Sequence, residues 1–141
     1  MEYSPTLSPD GRWLANESTE TGRPEIYVVP FPNGSDGRWQ ISKDGGREPA
    51  WSSNGRQLFY RNGVLDMVAV DVSTGPAFSM GSSTVLFPTR DFRFHNVRQF
   101  AVSPRDGRFL MIRDVNTTDT RNLVVVLAFD EELKERAGVG K

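Results

Sequence analysis

Apolar residues return at every second position in short runs along most of this chain, and each run stops at a cluster of Gly, Pro, Asn or Asp. That period sends successive side chains to opposite faces of an extended segment, so it predicts strands rather than helices. Ten are expected: "RWLANE" from Arg12, "EIYVVPF" from Glu25, "RWQIS" from Arg38, "EPAWSS" from Glu48, "RQLFYR" from Arg56, "LDMVAVDV" from Leu65, "STVLF" from Ser83, "VRQFAVS" from Val97, "RFLMIRD" from Arg108 and "NLVVVLAF" from Asn122. Only the end changes period. In "FDEELKERAGVGK", Phe129, Leu133 and Ala137 fall at i, i+4 and i+8, acidic residues lead, basic ones follow, and Gly138 supplies a stop. This predicts one short amphipathic helix over about 130–138 that caps the last strand layer.

The strand pattern carries a repeat. "SPDGRWLA" at Ser8 to Ala15 returns as "SSNGRQLF" at Ser52 to Phe59 and as "SPRDGRFLM" at Ser103 to Met111, with the turn glycines Gly11, Gly55 and Gly107 spaced 44 and 52 residues apart. Pro9 presets φ for the first central turn position, Asp10 can accept hydrogen bonds from nearby backbone, and Gly11 takes a positive φ that a Cβ would strain. Asn54 does in the second copy what Asp10 does in the first. Arg105 lengthens the third turn by one residue before Asp106 and Gly107, so a bulged hairpin is expected there. A period in the forties with about four short strands per unit matches the blades of a β-propeller. The expected fold is all-β: about three blades, at about 1–47, 48–96 and 97–129, forming one partial propeller with a short C-terminal helix.

These phrases, with "PEIYVVPF" and "DGGREPAWS", resemble the TolB-type repeats of bacterial six-bladed β-propellers, and the resemblance covers almost the whole chain. The ending "LVVVLAFDEELKERAG" is similar to that of the C-terminal propeller attached to bacterial membrane-anchored serine/threonine kinases and related envelope proteins. The resemblance implies a periplasmic or cell-envelope setting and a protein or peptide partner. Three blades do not close a ring. The chain is therefore expected to be the C-terminal part of a longer propeller, or to build six blades by pairing two copies through open blade ends.

Composition narrows the chemistry. A net charge of −1 with no long like-charge block excludes a polybasic nucleic-acid binder, and the absence of cysteine excludes disulfides, thiolate metal sites and a cysteine nucleophile within the chain. The longest apolar run, "LVVVLAF", is far short of the roughly 20 residues of a membrane-spanning helix, and "MEYSPTLSPDG" lacks the layout of an export signal. No G-x-S-x-G elbow occurs, and a serine triad would have to use the single histidine, His95, so no enzyme activity is expected. Neither "NGSDGR" nor "VNTTDT" has the carboxylate spacing of a calcium loop, and "KDGGREP" opens no helix, so no metal or cofactor is expected. The sequons at Asn16, Asn33 and Asn116 are short enough to arise by chance.

What remains is surface. In a blade, the connections from second to third strand and from fourth strand to the next blade share one face, and here they are the longer loops. Rigid scaffolds present recognition residues on such loops. "PTRDFRFHNVR" stands out, because arginines interleaved with aromatics can grip an acidic or aromatic partner through charge-assisted hydrogen bonds and stacking. The same spacing also suits phenylalanines packed between blades. The candidate binding residues are Arg47, Arg61, Arg90, Phe92, Arg93, Phe94, His95 and Arg121; Ser8, Pro9, Asp10, Gly11, Asn54, Gly55, Asp106 and Gly107 are structural. The expected function is a non-catalytic binding module. The alternatives are the substrate-gating propeller of a prolyl oligopeptidase-type peptidase and a structural half-propeller that self-assembles.

Overall fold

A computed structural model describes residues 1–113. They form three antiparallel sheets in chain order. The first holds β1 (Glu2–Leu7), β2 (Trp13–Ser18), β3 (Glu25–Pro30) and β4 (Trp39–Gln40), and the second holds β5 (Gly46–Trp51), β6 (Gln57–Asn62), β7 (Asp66–Thr74) and β8 (Phe78–Pro88). A third sheet pairs β9 (Phe100–Val102) with β10 (Phe109–Met111). Each strand pairs with its sequence neighbour, as the blades of a partial propeller do. The expected strand "NLVVVLAF", the terminal helix, Asn116 and Arg121 lie outside the described residues.

The repeated hairpin is built three times around the same serine N–H bond. Ser8, Ser52 and Ser103 each donate their N–H across the turn, to Trp13, Gln57 and Arg108, at 2.8, 2.9 and 2.8 Å. Gly11 and Gly55 close back on the serine carbonyl three residues earlier, whereas Gly107 closes on Ser103 four residues earlier, so Arg105 is the inserted residue. All three glycines have φ near +70°. The serines also use their side chains. Ser8 Oγ donates to Asp10 and accepts the N–H of Trp13, and Ser52 Oγ repeats both bonds with Asn54 and Gln57.

Several strands differ from expectation: β1 is additional to the ten, and "VRQFAVS" and "RFLMIRD" form strands only over Phe100–Val102 and Phe109–Met111. The fourth strand of the first sheet shrinks to Trp39–Gln40, since the Trp39 ring is used to cover the core. "STVLF" extends backwards to an eleven-residue strand from Phe78. The "SMGSS" segment joins the β7 ladder through irregular register between Val70 and Val72, and Asp71 there accepts bonds from Ser82 Oγ and Gln57 Nε2.

The described residues pack their core in two seams. Between the first and second sheets, Trp13, Trp39 and Phe78 meet with ring centroids 5.3–5.5 Å apart, over Ala15, Ile26, Val28, Leu58, Tyr60, Val68 and Val70. Between the second and third, Phe109 stacks edge-on against Phe59 and Phe87 at 5.0 and 5.4 Å beside Met67 and Met111. Tilted and edge-on aromatic pairs of this kind add about 0.5–1.5 kcal/mol each beyond their buried area. The second sheet is thus covered on both faces. Among the described residues the first keeps one face open, with a groove of about 390 Å³ along Pro5, Leu14 and Val29.

Candidate functional site

At the long-loop end of the inner strands, four charged side chains converge from three strands, β2, β5 and β6. Tyr3 pairs with Glu17 in the first sheet and Arg47 with Arg61 in the second, so Glu17 and Arg61 occupy matching positions with opposite charge. Both side chains point toward the following sheet. Glu17 is buried and lies 3.3 Å from Arg47 Nη1, while Arg61 Nε lies 3.1 Å from Glu48 Oε2 with both side chains fully buried. The second contact is off hydrogen-bond alignment, so charge rather than direction holds it.

The acids also tie adjacent sheets together. Glu17 faces the backbone N–H of Glu48, which favours its charged form, and Glu48 in turn accepts the backbone N–H of Gln99 at 2.9 Å. Glu48 and Gln99 hold matching places in "REPA" and "RQFA", so each inner strand is held at the same backbone position by a carboxylate from the blade before it. Glu48 does so with φ at +58°, directly ahead of Pro49. Burial raises the carboxyls of Glu17 and Glu48 above the ordinary range, and their arginines offset part of the rise. Burial lowers Arg61 in the same way.

The loop from Thr89 to Gln99 closes over this cluster. Arg61 Nη1 donates to Arg93 O at 2.6 Å, Thr89 donates its N–H and Oγ to Leu65 O, and Arg93 N donates to Ile112 O. Phe94 lies with its ring 5.6 Å from the Arg47 guanidinium and 5.8 Å from that of Arg61, and remains 39% exposed. Beside it opens a recess of about 130 Å³ lined by Tyr3, Glu17, Thr19, Arg47 and Asn96.

The structure thus brings together Arg47, Arg61 and Phe94 from the candidate residues. Arg61 is an internal support under the loop, with no surface exposed. Phe92 packs against the second seam, as the alternative reading of that loop has it. Arg90 is exposed and donates to Val64 O near Asp66, away from the recess, and His95 is exposed. Arg93 is exposed as well. Sequence reasoning missed Glu17 and Glu48. The available signal was a charge at an inward-facing strand position, opposite in sign in successive repeats.

No family model matches the chain, and no curated protein does. Among solved structures, the crystal structure of TolB from Acinetobacter baumannii is similar at a TM-score of 0.58 and 17% identity over 89% of this chain, which is 31% of that one. A putative 6-phosphogluconolactonase from Bacteroides uniformis is similar at 0.50 and 14%, again over 89% of this chain and 39% of its own. At these identities the likeness establishes the TolB-like propeller fold, and this chain spans about a third of either protein.

Proposed function

We propose that this chain is part of a non-catalytic recognition propeller that takes a protein or peptide partner on its long-loop face, at the recess beside Arg47 and Phe94. One observation carries the reading: Arg47 is half-exposed between a buried carboxylate on one side and an exposed aromatic ring on the other, at the mouth of a polar recess. Glu17 fixes the guanidinium in place, and the Phe94 ring offers a stacking surface next to it. Tyr3, Thr19 and Asn96 add hydroxyl and amide groups that can bond to a peptide backbone. The loop is pinned at both ends and in its middle, so a partner meets a preorganised surface and little ordering entropy is lost on binding. The open groove along Pro5, Leu14 and Val29 fits a further blade of the same propeller, in keeping with the share of the TolB chain that this one covers. The setting in a bacterial envelope follows from the TolB-type repeats and belongs to the same proposal.

Selection of a displayed random-peptide library against the protein, followed by titration of the enriched peptides, tests the site. Arg47→Ala and Phe94→Ala are each expected to weaken those peptides by about tenfold or more, the loss typical of a central anchor residue. Peptides that bind both variants as tightly as the parent would place recognition elsewhere.

A further inference from the structure

In "YSPT", "REPA" and "RQFA", Tyr3, Arg47 and Arg98 each stand one residue ahead of Ser4, Glu48 and Gln99. Two successive inner strands thus bring a guanidinium to the long-loop face. Arg98 is exposed, donates from Nη1 to Pro49 O at 3.2 Å, and its charge acts on Glu48. It is the fifth member of the charged cluster. Among the described residues, Arg47, Arg61 and Arg98 then stand against Glu17 and Glu48. Arg61 and Glu48 seal each other and Glu17 answers Arg47, so one positive charge is left over.

Arg47 also has donors to spare. Among the described residues its guanidinium meets Glu17 through charge at 3.3 Å and completes no aligned hydrogen bond. A guanidinium offers N–H donors and no acceptor. Glu17 leaves them room, because its side chain is 3% exposed and faces the backbone N–H of Glu48. Thr19 and Asn96 line the same recess and add a hydroxyl and an amide donor. A group entering there meets donors and positive charge; an ionised carboxylate, which only accepts, is the peptide group that suits both. The size agrees. About 130 Å³ is the share of roughly four water molecules at about 30 Å³ each, enough for a carboxylate and the carbon that bears it. An ammonium would instead face Arg47 as a like charge.

We propose that the recess is a carboxylate site: it takes the end-of-chain carboxylate or an acidic side chain of a peptide, seated on Arg47, with Asn96 donating beside it and Arg98 supplying the balancing charge. The inference rests on the recognition reading above and names the chemical group that reading leaves open. With the ligand in place, three arginines meet three carboxylates and the cluster is neutral. Charge-assisted hydrogen bonds are about twice as strong as neutral ones, so the acid is favoured over an amide of the same shape.

Titration of the full-length, nitrogen-15-labelled protein with four fragments, followed by NMR at Asn96 and at Arg47 Nε, tests the site. Acetyl-glycine presents an end-of-chain carboxylate and acetyl-aspartate amide a side-chain one; acetyl-glycinamide and acetyl-asparagine amide are their neutral counterparts. At least one acid should bind with a Kd of about 1–50 mM, the range of so small a ligand, and at least about tenfold more tightly than its amide. Which acid does so identifies the source of the carboxylate. Arg47→Gln should abolish the shifts at Asn96, and Arg98→Gln, which leaves Arg47 and Glu17 in place, should raise the Kd about threefold or more. Amides that bind at Asn96 as tightly as the acids would overturn the carboxylate site while leaving the recess a place for peptides. Acids that shift neither residue, or that bind Arg47→Gln as they bind the parent, would overturn it too. Failure of the recognition reading shows separately, in selected peptides indifferent to Arg47→Ala and Phe94→Ala.

Discussion

The first and second sheets start from the same repeat and end differently. In β2, buried residues on one face alternate with half-buried residues on the other from Trp13 to Asn16, whereas in β6 Leu58 to Arg61 are buried without interruption. The difference is coverage. The second sheet has neighbours on both faces, so its inward position can hold a complete ion pair away from water, while the first places an acid at the matching position beside an arginine that still reaches solvent. Identical local structure thus hosts a sealed ion pair in one blade and a solvent-reaching one in the other.

The comparison breaks most visibly at the matched charges. Replacing Arg61 by Met leaves Glu48 buried without its partner and is expected to lower the unfolding free energy by about 3–5 kcal/mol. Adding Glu48→Leu to that variant should recover part of the loss, because the buried charge is then gone. At the corresponding place in the first sheet, Glu17→Gln should cost about 1 kcal/mol or less, since Arg47 can turn to water. Urea unfolding of the four proteins measures all of this. Equal losses at Arg61 and Glu17 would mean that coverage does not separate the two sheets.

The hairpin glycines should show the opposite behaviour. Gly11→Ala and Gly55→Ala each force a Cβ onto a φ near +70°, and no atom crowds the added carbon closer than 3.5 Å, so strain alone acts. Both should cost about 1–2 kcal/mol, alike to within error despite the different burial of their sheets. Thermal unfolding would detect a disparity.

The smallest effect is in pH. The folded carboxyl of Glu17 holds its proton to higher pH than the unfolded one, so its contribution to stability is fully present below the ordinary glutamate value and is lost as pH rises through the raised one. Asp10 works the other way. Burial pushes its carboxyl up, but the bonds from Ser8 and Arg12 outweigh this and hold it low, so its contribution is lost only as strong acid is approached. Urea midpoints between about pH 4.5 and 7 should fall less steeply for Glu17→Gln than for the parent protein. Parallel curves would show that Glu17 does not titrate there.

Much of the fold could be read directly from the residues, because its rules are local. The serine and glycine of each hairpin, and even the extra Arg105, act within a few residues of themselves. The loop from Thr89 to Gln99 was legible as a cluster of arginines and aromatics, yet its working parts were not: Phe92 turned inward, Arg61 became a buried support, and Glu17 and Glu48, which organise the recess, looked like ordinary polar strand residues. Their role depends on which backbone N–H the next sheet brings near.

Period-two alternation and positive-φ turns act over single residues, so the sequence alone determined three hinged hairpins and the strands that flank them. Burial of a charge and exposure of an edge depend on what the neighbouring sheet covers. That is why only the tertiary structure could decide that Arg61 is sealed, that Arg47 and Phe94 meet beside a recess, and that β8 outreaches the two-residue strand beside it.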